Sequence, residues 1–353
     1  MNKPRVMYIL REFPQISQTY IKSEIEAVLD DYEIAVVSLG KVDIPYKNHV
    51  PYRFMDDPAM IREAIEEFRP QILHTHYIIQ TPELDKLSRK TNTPFTIRAH
   101  SFDAIRPGKK TISDFIYSSR KGYIPSQIRK AVRYINDDLC LGVLTFPFTR
   151  QILERAGVRS EKIHDCFPVV NYRLFHDSSP NGQSIMNVGA CIPKKSMEDF
   201  LQLAKEVPNL EFNLYAMGYQ VEKISSLNKN MGNPVNIIPP IEPDHMPSEY
   251  KKHRWLVYTA SRDRGTVGWP MAIAEAQASG VGVCMPNIRP DLKEYVGNAG
   301  FLYNSIGEIA DIISKPFPEE MRQNGFEHAR KSDVFEHKVI LTDLWRKATT
   351  SNN

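Results

Sequence analysis

The chain has 353 residues, which exceeds the usual size of a single hydrophobic core, so two domains are expected. Its composition, with 42% hydrophobic and 25% charged residues, is ordinary for a soluble globular protein. No apolar run approaches the roughly 18 residues that a transmembrane helix needs. The formal net charge of +3 is too small to identify a partner by itself.

The cysteines are scattered along the chain and form no Cys-x-x-Cys pair. They are Cys140, Cys166, Cys191 and Cys284. This spacing predicts buried thiols and favours neither a disulfide framework nor a zinc site. The first residues run into a strand-like segment without an apolar signal sequence, so we expect a cytoplasmic protein.

Short apolar runs typical of strands alternate with stretches of helical periodicity. The predicted strands are Val6–Leu10, Ile34–Ser38, Ile72–Thr75, Phe95–Ala99, Leu139–Leu144, Ile185–Val188, Phe212–Tyr215, Val235–Ile238, Trp255–Tyr258 and Val281–Met285. The predicted helices include Thr19–Leu29, Ala59–Phe68, Thr149–Ala156, Met197–Glu206 and Ile306–Ile313. This alternation favours parallel sheets in an α/β fold.

A polar segment, Val169–Gln183, is the predicted linker between two α/β halves. It contains the turn-forming run Asp177-Ser178-Ser179-Pro180-Asn181-Gly182. The predicted ranges are 1–175 for an N-terminal acceptor-binding domain and 184–316 for a C-terminal donor-binding domain. Two halves joined in this way would form a ligand cleft, and ligands favour the carboxyl ends of strands in such sheets.

Two segments of the N-terminal half carry candidate site residues. In the loop after the first strand, Ser17 or Thr19 would cap the following helix. His100 ends the strand Phe95–Ala99, where its imidazole can donate or accept a hydrogen bond at neutral pH. A lone histidine is more often structural, but the carboxyl end of a strand is also where ligands bind in such sheets.

Two further histidines, His74 and His76, lie at the end of another predicted strand. We interpret them as packing or hydrogen-bonding residues. A metal site built from them together with His100 is the weaker alternative.

Residues 106–133 are strongly basic and contain interleaved aromatic side chains. The basic residues are Arg106, Lys109, Lys110, Arg120, Lys121, Arg129, Lys130 and Arg133, and the only acid is Asp114. This mixture suits contact with an anionic membrane surface or an anionic lipid-linked acceptor, and solvated basic helices are the alternative. Nucleic acid is disfavoured because no recognised binding motif accompanies the charge.

The C-terminal half contains two segments that suit a nucleotide. In Gly189–Ser196, a glycine turn followed by lysines at a strand end suits a phosphate, although a solvated loop has the same pattern. Gly268–Val283 predicts a loop, a short helix, a glycine stop and a buried strand. Pro270 suits the first helical position and Gly280 the position just past the helix end.

The amino terminus of the helix in Gly268–Val283 would offer free N–H groups and the positive end of the helix dipole to a phosphate. Glu275 lies about one and a half turns into the helix at roughly 3.6 residues per turn. Its carboxylate can accept hydrogen bonds from paired hydroxyls such as those of a ribose. Phosphate and diol together predict a nucleotide site.

Gly268–Val283 also resembles the donor-site motif of family 4 glycosyltransferases, which are retaining enzymes with the GT-B fold. The family motif carries two glutamates eight positions apart. Glu275 matches the second, but Val267 occupies the first position. Lys195 matches the lysine that, with an arginine, neutralises the donor diphosphate in the family, but Ala190 occupies the arginine position.

The loop before the donor helix contains candidates for the missing groups. Arg262 or Arg264 is a candidate for the absent arginine charge, and Asp263 for contacts with sugar hydroxyls. The donor-binding residues predicted from the chemistry and the resemblance are Gly189, Lys195, Arg262, Asp263, Gly268, Trp269, Pro270, Met271 and Glu275.

The N-terminal half resembles the same family at two places. Phe13–Ile25 resembles the family's first loop, with Gln18 in place of a glutamate. Thr96–Asp103 resembles the family's His-Gly-x-Asp segment, in which the histidine contacts the transferred sugar, with Ser101 in place of the glycine. The resemblance therefore implies an acceptor side formed by Ser17, Gln18, Thr19, His100 and Asp103.

The resemblance implies two Rossmann-like domains whose parallel sheets face each other across a cleft, and a C-terminal helix over 317–353 that returns to the N-terminal domain. It implies retaining transfer of a sugar from a nucleotide-diphosphate donor to a saccharide or lipid-linked acceptor, with His100, Lys195 and Glu275 as the catalytic set. No Asp-x-Asp stands at a strand end, so we expect no metal and no cofactor other than the nucleotide sugar.

Two other functions stay open. Because Ala190 and Val267 remove two polar groups from the donor site, the chain could be a catalytically weakened sugar-nucleotide-binding or scaffold subunit of a glycan-assembly complex. The chain could also be a phosphorylase or epimerase with the same fold. A nicotinamide dehydrogenase is disfavoured because no Gly-x-Gly-x-x-Gly follows the first strand.

Overall fold

The computed structural model of the chain describes residues 3–101, 103, 124–167, 169–262 and 267–350. The strands are β1 (Arg5–Glu12), β2 (Glu33–Gly40), β3 (Tyr52–Phe54), β4 (Ile72–His76), β5 (Phe95–Arg98), β6 (Cys140–Thr145), β7 (Ile163–Asp165), β8 (Ser184–Ala190), β9 (Phe212–Met217), β10 (Asn236–Ile238), β11 (His253–Val257), β12 (Gly282–Pro286) and β13 (Phe301–Tyr303).

Helices alternate with these strands. They are α1 (Thr19–Val28), α2 (Pro58–Phe68), α3 (Thr81–Thr91), α4 (Ser126–Ile135), α5 (Pro147–Ala156), α6 (Tyr172–Phe175), α7 (Met197–Glu206), α8 (Val221–Asn230), α9 (Met246–Tyr250), α10 (Met271–Ala278), α11 (Leu292–Val296), α12 (Ile306–Ile313), α13 (Glu319–Lys331) and α14 (Val334–Thr350). Among the described residues, no helix is both long and apolar enough to cross a membrane.

The first compact unit comprises Met1–Pro168 and Val334–Asn353. Its parallel sheet has the order β3-β2-β1-β4-β5-β6-β7. The central strands are buried on both faces, and their apolar residues, such as Leu73, Phe95 and Val143, form the core beneath the helices. The register pairs His76 of β4 with Arg98 of β5, so the carboxyl ends of these two strands lie side by side.

The second unit, Val169–Asp333, contains a parallel sheet of order β10-β9-β8-β11-β12-β13. This is the doubly wound order of a Rossmann-like domain, in which ligands bind at the carboxyl ends of the strands. β8 pairs with β11, and β11 pairs with β12. The loops that follow β8 and β11 therefore lie at the same edge of the sheet.

Two helices, rather than one, occupy the predicted C-terminal segment 317–353. The first, α13, packs against α10 of the second unit, and the second, α14, packs against α1 and β6 of the first. The chain leaves helical structure between them at Ser332 and Asp333. The predicted linker also contains the short helix α6, and the residues from Val169 onward belong to the second unit.

Candidate functional sites of the two units

Lys195 lies close to the carboxyl edge of the second sheet. β8 ends at Ala190, and a 3-10 turn over Pro193–Lys195 reverses the chain before α7. Gly189 has a φ of 140°, and a Cβ atom there would lie 3.7 Å from Lys195 Nζ. The glycine turn therefore brings the ammonium group close to the end of β8.

The ammonium group of Lys195 contacts an aromatic side chain. Its Nζ donates to the hydroxyl of Tyr258 and lies 4.0 Å from the centre of that ring. Burial, with a smaller effect of Lys194, lowers the pKa of Lys195 to about 7. Over the described ranges of the chain no carboxylate pairs with it, so a bound anion would restore its charge balance.

The helix α10 begins at Met271, one residue later than predicted. Pro270 is its N-cap, with an extended backbone (φ −75°, ψ 136°), and its carbonyl accepts from Ile273 N at 3.2 Å. The fixed φ of proline suits both the N-cap and the first helical position. Because the ψ of Pro270 is extended and not helical, Pro270 occupies the N-cap. No side chain of the described residues caps this helix at Pro270.

The predicted glycine stop is confirmed. Gly280 has a φ of 72°, Gly280 N donates to Gln277 O at 3.1 Å, and Val281 N donates to Ala276 O at 2.8 Å. These two bonds form a Schellman motif, which only a residue in the left-handed conformation completes.

Trp269 supports the loop in front of α10. It is buried, its Nε1 donates to Asp291 Oδ2 at 2.8 Å, and its ring stacks on Tyr295 with the ring centres 4.8 Å apart. The hydroxyl of Tyr295 donates to Pro270 O at 2.6 Å. The indole therefore holds the loop in place, while Gly268 before it is buried and Met271 after it is half-buried.

Glu275 is half-buried on α10. Its Oε2 accepts from the hydroxyl of the fully buried Tyr250 at 2.7 Å. Burial raises the pKa of Glu275 to about 7, although the bond from Tyr250 acts in the opposite direction. No cation of the described segments pairs with this carboxylate, so it has capacity to accept further hydrogen bonds from a ligand.

The predicted substitutes for the absent arginine are only partly described. Arg262 is exposed, and one of its N–H groups donates to Tyr303 O at 2.9 Å. Asp263 and Arg264 lie outside the described residues. Arg289 also contacts this region, through the carbonyl of the buried Val267, but Asp291 pairs with its guanidinium at 2.6 Å and compensates its charge.

In the first unit, His100 follows β5 and lies among aromatic side chains. The rings of Tyr20 and Tyr77 are each centred 4.6 Å from its own. His100 Nε2 lies 2.9 Å from His76 Nδ1, and the planes of the two imidazoles differ by only 22°, as an in-plane hydrogen bond between ring nitrogens requires. Burial, followed by nearby His76 and Arg98, lowers the pKa of His100 well below its ordinary value, so it is neutral at pH 7.

Asp103 fixes the turn that carries His100. It is fully buried, and its Oδ2 accepts from His100 N at 2.9 Å. Burial raises the pKa of Asp103 to about 7, and the backbone amides of His100, Ile78 and Ile79 act in the opposite direction. The side chain therefore orders the loop around His100.

The predicted capping of α1 by Ser17 or Thr19 is wrong. The N-cap of α1 is Gln18, and no side chain of the described residues caps it. The chain enters α1 through a 3-10 turn over Ile16–Gln18, in which Gln18 N donates to Gln15 O at 2.9 Å. Ser17 therefore lies inside this turn, and Thr19 is already the first residue of the helix, so neither occupies the N-cap position.

A buried charged cluster lies behind His100. Glu24, His74 and His76 present ligand-type atoms within 4.8 Å of one another, an arrangement that could hold a metal ion. Arg98, however, contacts Glu24 Oε2 through its Nε, and it donates to Cys166 O at 2.9 Å. A cation would have to share this carboxylate with a guanidinium, so the cluster fits a hydrogen-bonded ion pair better than a metal site.

Comparison with known proteins gives a likeness in structure and none in sequence. No protein-family model matches the chain, and no curated protein matches it by sequence. A crystal structure of HepE from Anabaena in complex with UDP and glucose is 15% identical over 98% of each chain, with a TM-score of 0.71. Sucrose-phosphate synthase from Thermosynechococcus elongatus is 14% identical over 99% of this chain and 100% of that one, with a TM-score of 0.70.

A third structure, the lipopolysaccharide outer core galactosyltransferase WaaB, is 12% identical over 99% of this chain and 100% of that one, with a TM-score of 0.59. These likenesses extend over both units and both parallel sheets. The chain has the GT-B fold. At such low identities the comparison does not extend to the reaction.

Several residues that support the candidate sites of this GT-B chain were not predicted from the sequence. In the second unit they are Tyr250, which holds Glu275, and Tyr258, which contacts Lys195. In the first unit, Glu24 has a signal in hindsight, because it is a charged residue on the apolar face of α1 formed by Ile21, Ile25 and Val28. Neither Tyr250 nor Tyr258 has such a signal in the sequence.

The predicted membrane-facing segment is described only from residue 124 onward, and residues 106–123 lie outside the described residues. In the described part, Lys130 and Arg133 are exposed on α4, while Ile128, Ala131 and Ile135 are buried. The contact of 106–133 with a membrane or acceptor stays a prediction.

Proposed function

We propose that the chain is a retaining, metal-independent glycosyltransferase that moves a sugar from a nucleotide-diphosphate donor to a saccharide or lipid-linked acceptor. The observation that carries the proposal is the pair of uncompensated groups at one edge of the second sheet. Lys195 is a cation and Glu275 an acid, and over the described residues neither has an oppositely charged partner. A diphosphate and a ribose diol would supply the missing interactions.

The first support is the position of Lys195 relative to α10. Tyr258, which Lys195 contacts, follows β11, and Tyr303 at the end of β13 donates to Tyr258 O at 2.9 Å. Tyr295, which holds the loop before α10, lies near enough to both Glu275 and Tyr258 that their charges raise its pKa further after burial. Lysine, helix amino terminus and Glu275 thus share one sheet edge.

The chemistry follows from these positions. Lys195 and the amino terminus of α10 would stabilise the negative charge that grows on the leaving diphosphate. Glu275 would accept hydrogen bonds from the two ribose hydroxyls and hold the nucleotide in register. Arg262 is the described candidate for a second positive charge near the phosphates.

The transfer itself exchanges one bond for another. The bond between the anomeric carbon and the phosphate oxygen breaks, and a bond to the acceptor hydroxyl forms on the same face of the sugar. The acceptor proton passes to the leaving diphosphate. His100 would position the sugar, and Ser17, Gln18, Thr19 and Asp103 belong to the acceptor side. This part of the proposal rests on the resemblance to family 4.

The proposed acceptor and location follow from the basic segment 106–133. A chain that uses a lipid-linked acceptor would work at the inner membrane surface, with cationic side chains next to anionic lipids. Because HepE was crystallised with UDP and with UDP-glucose, uridine nucleotides are the first donors to test.

The test is a calorimetric titration of UDP, GDP and ADP, each also as common sugar conjugates, into the wild-type chain. The variants Glu275→Ala and Lys195→Met remove the two uncompensated groups. The exposed neighbours Glu294 and Lys293 on α11 provide matched controls as Glu294→Ala and Lys293→Met. We expect micromolar binding of one nucleotide, weakened about 10- to 100-fold by either site variant and unchanged in the controls.

Product analysis then separates the candidate functions. A new glycoside whose anomeric configuration matches the donor, formed equally in the presence of EDTA, supports retaining and metal-independent transfer. Nucleotide binding without turnover would point to the scaffold subunit, and free sugar phosphate or an epimer to the phosphorylase or epimerase. Absence of binding by every nucleotide would defeat the proposal.

A further inference from the structure

The buried cluster behind His100 has only one consistent arrangement of hydrogen-bond donors and acceptors. Its outer end is Trp345, whose indole nitrogen can only donate. Trp345 Nε1 lies 2.9 Å from Thr96 Oγ1, and Thr96 Oγ1 lies 2.7 Å from His74 Nδ1. The hydroxyl accepts from the indole, and among the described residues the only acceptor within reach of its own proton is His74 Nδ1. The hydroxyl therefore donates to the imidazole, and His74 Nδ1 is an acceptor.

The centre of the cluster is the carboxylate of Glu24. Burial alone would raise its pKa, but Arg98, with smaller effects of His76 and His74, holds the pKa of Glu24 well below its usual value. The group is therefore an acceptor only. His74 Nε2 lies 3.0 Å from Glu24 Oε1, so it must carry the His74 proton, in agreement with the outer end of the cluster.

The same logic applies to His76. Its Nε2 lies 3.2 Å from Glu24 Oε1, and a lone pair facing a carboxylate at this distance would be repelled. Nε2 therefore carries the proton. Burial lowers the pKa of His76, so the ring is neutral and its Nδ1 is an acceptor. His100 Nε2, at 2.9 Å from that atom, must then be the donor.

We infer that Glu24 and His76 are positioning residues that hold His100 in the Nε2–H tautomer, leaving His100 Nδ1 to accept a hydrogen bond from a hydroxyl of the bound sugar. The second half of this inference rests on the proposed function, and the first half does not. No residue in the described part of the chain hydrogen-bonds to His100 Nδ1. The flanking rings of Tyr20 and Tyr77 restrict the rotation of the imidazole.

This inference also gives the buried cluster a role other than metal binding. In the arrangement above, the Nε2 atoms of His74 and His76 both carry protons and both lie next to Glu24 Oε1, at 3.0 and 3.2 Å. A metal ion would require both nitrogens to be unprotonated. The two alternatives therefore differ in the protonation of His74 and His76, which is measurable.

The primary test is nitrogen NMR of the full unliganded chain with 15N-labelled histidine at pH 7. The His100 signals are identified by their loss in His100→Gln. We expect a protonated-type Nε2 and an unprotonated-type Nδ1 for His100, His76 and His74. A proton on His100 Nδ1, or a doubly protonated His100, would overturn the inference. Zinc titration should leave the His74 and His76 signals unchanged, and a stoichiometric shift would favour the metal site.

Two variants of His76 distinguish positioning from mere packing. His76→Asn keeps an amide oxygen near the position of Nδ1, whereas His76→Leu removes the acceptor. We expect His76→Asn to preserve the His100 tautomer and His76→Leu to yield a mixture of tautomers. If the leucine variant leaves His100 entirely in the Nε2–H form, His76 does not control it.

The functional half is tested with UDP-glucose and UDP as paired probes. Loss of the sugar contact in His76→Leu should weaken UDP-glucose about 10-fold and leave UDP unchanged, and His76→Asn should restore most of the loss. Equal weakening of both probes would indicate structural damage and contradict the positioning role. If neither probe binds the wild-type chain, the contact with a UDP-linked sugar is rejected, while the NMR result still decides the tautomer.

Discussion

The two units differ in whether their buried ionisable groups are paired with an opposite charge. In the first, Glu24 is fully buried but paired with Arg98 and bonded to Tyr8 and His76. In the second, Lys195 and Glu275 are half-buried, and over the described residues neither pairs with an opposite charge. Compensated groups stabilise a fold, whereas uncompensated ones favour a ligand that compensates them. The contrast therefore favours the second unit as the candidate site for an ionic ligand.

The largest effect expected from this contrast is on stability. Glu24→Gln would leave Arg98 buried without its counter-ion, and such a change costs about 3–5 kcal/mol of unfolding free energy. Glu275→Gln is the matched change in the second unit, and we expect equal or higher stability, because burial already disfavours the ionised form there.

Urea unfolding followed by tryptophan fluorescence measures the two changes separately. Trp345 is the tryptophan of the first unit, and Trp255 and Trp269 belong to the second, so Trp255→Phe/Trp269→Phe variants report the first unit alone. A loss below about 1 kcal/mol in Glu24→Gln would show that the cluster contributes little.

A second difference concerns pH. Burial lowers the pKa of His74 from 6.5 to about 4. Below pH 6.5 the unfolded chain gains a proton that the folded unit accepts only near pH 4, so the stability of the first unit falls across this window. For this one group the loss is at most about 3 kcal/mol, at 1.36 kcal/mol for each pKa unit.

Glu275 contributes with the opposite sign. Its pKa rises from 4.5 to about 7, so the folded unit binds the proton first and this group adds stability as the pH falls from 7 to 4.5. The measurement is the unfolding midpoint at pH 7 and pH 5 for wild type and Glu275→Gln. If the variant shows the same pH dependence as wild type in the second-unit transition, the raised pKa is wrong.

How far the sequence predicts the fold depends on the position of a strand in its sheet. All predicted strands are present, and most are longer than predicted. The strands that were missed, β3, β7 and β13, are three-residue strands at the sheet edges. Central strands are buried on both faces and leave an apolar run in the sequence, whereas short edge strands depend on pairing with a neighbour.

The residues of the candidate sites divide in a similar way, into those that belong to a local sequence pattern and those that only a long-range contact brings to the site. Gly189, Lys195 and Glu275 were predicted because each belongs to a local pattern of turn, charge and helix. Tyr250 was not, because it contacts Glu275 from 25 residues away in the sequence and no local pattern joins them. The relation of His100 to Glu24, which His76 bridges, is likewise created by the parallel register of β4 and β5.

A smaller effect on the free energy of unfolding is expected from substitution of Gly280, which ends α10. A Cβ atom on Gly280 would lie 2.6 Å from Arg322 Nε, whose guanidinium donates to Ser178 O and Ser179 O at 2.9 and 2.6 Å. Gly280→Ala should cost about 1–2 kcal/mol for its left-handed backbone, plus the displacement of Arg322.

Gly232 is the matched control for Gly280, because its φ is 90° and a Cβ atom there meets nothing within 4 Å. Gly232→Ala should show the backbone effect alone. In an Arg322→Met background, the costs of the two alanine substitutions should become similar when measured by urea unfolding. A persistent difference would mean that Arg322 is not the group that Gly280 accommodates.

The smallest effect is the most specific to ligand binding. Burial brings the pKa values of both Lys195 and Glu275 to about 7, so both groups can change their protonation near neutral pH when a ligand binds. A diphosphate favours protonated Lys195, so binding should take up protons there; a diol that donates to Glu275 favours the carboxylate, so protons should be released there. The two contributions have opposite signs in wild type.

Calorimetry of UDP binding in buffers of different ionisation enthalpy measures this proton count. Compared with wild type, Glu275→Gln should shift the proton count toward uptake, and Lys195→Met should shift it toward release. Variants that share the wild-type count would mean that neither group meets the ligand, and the contrast between the two units would then reflect packing alone.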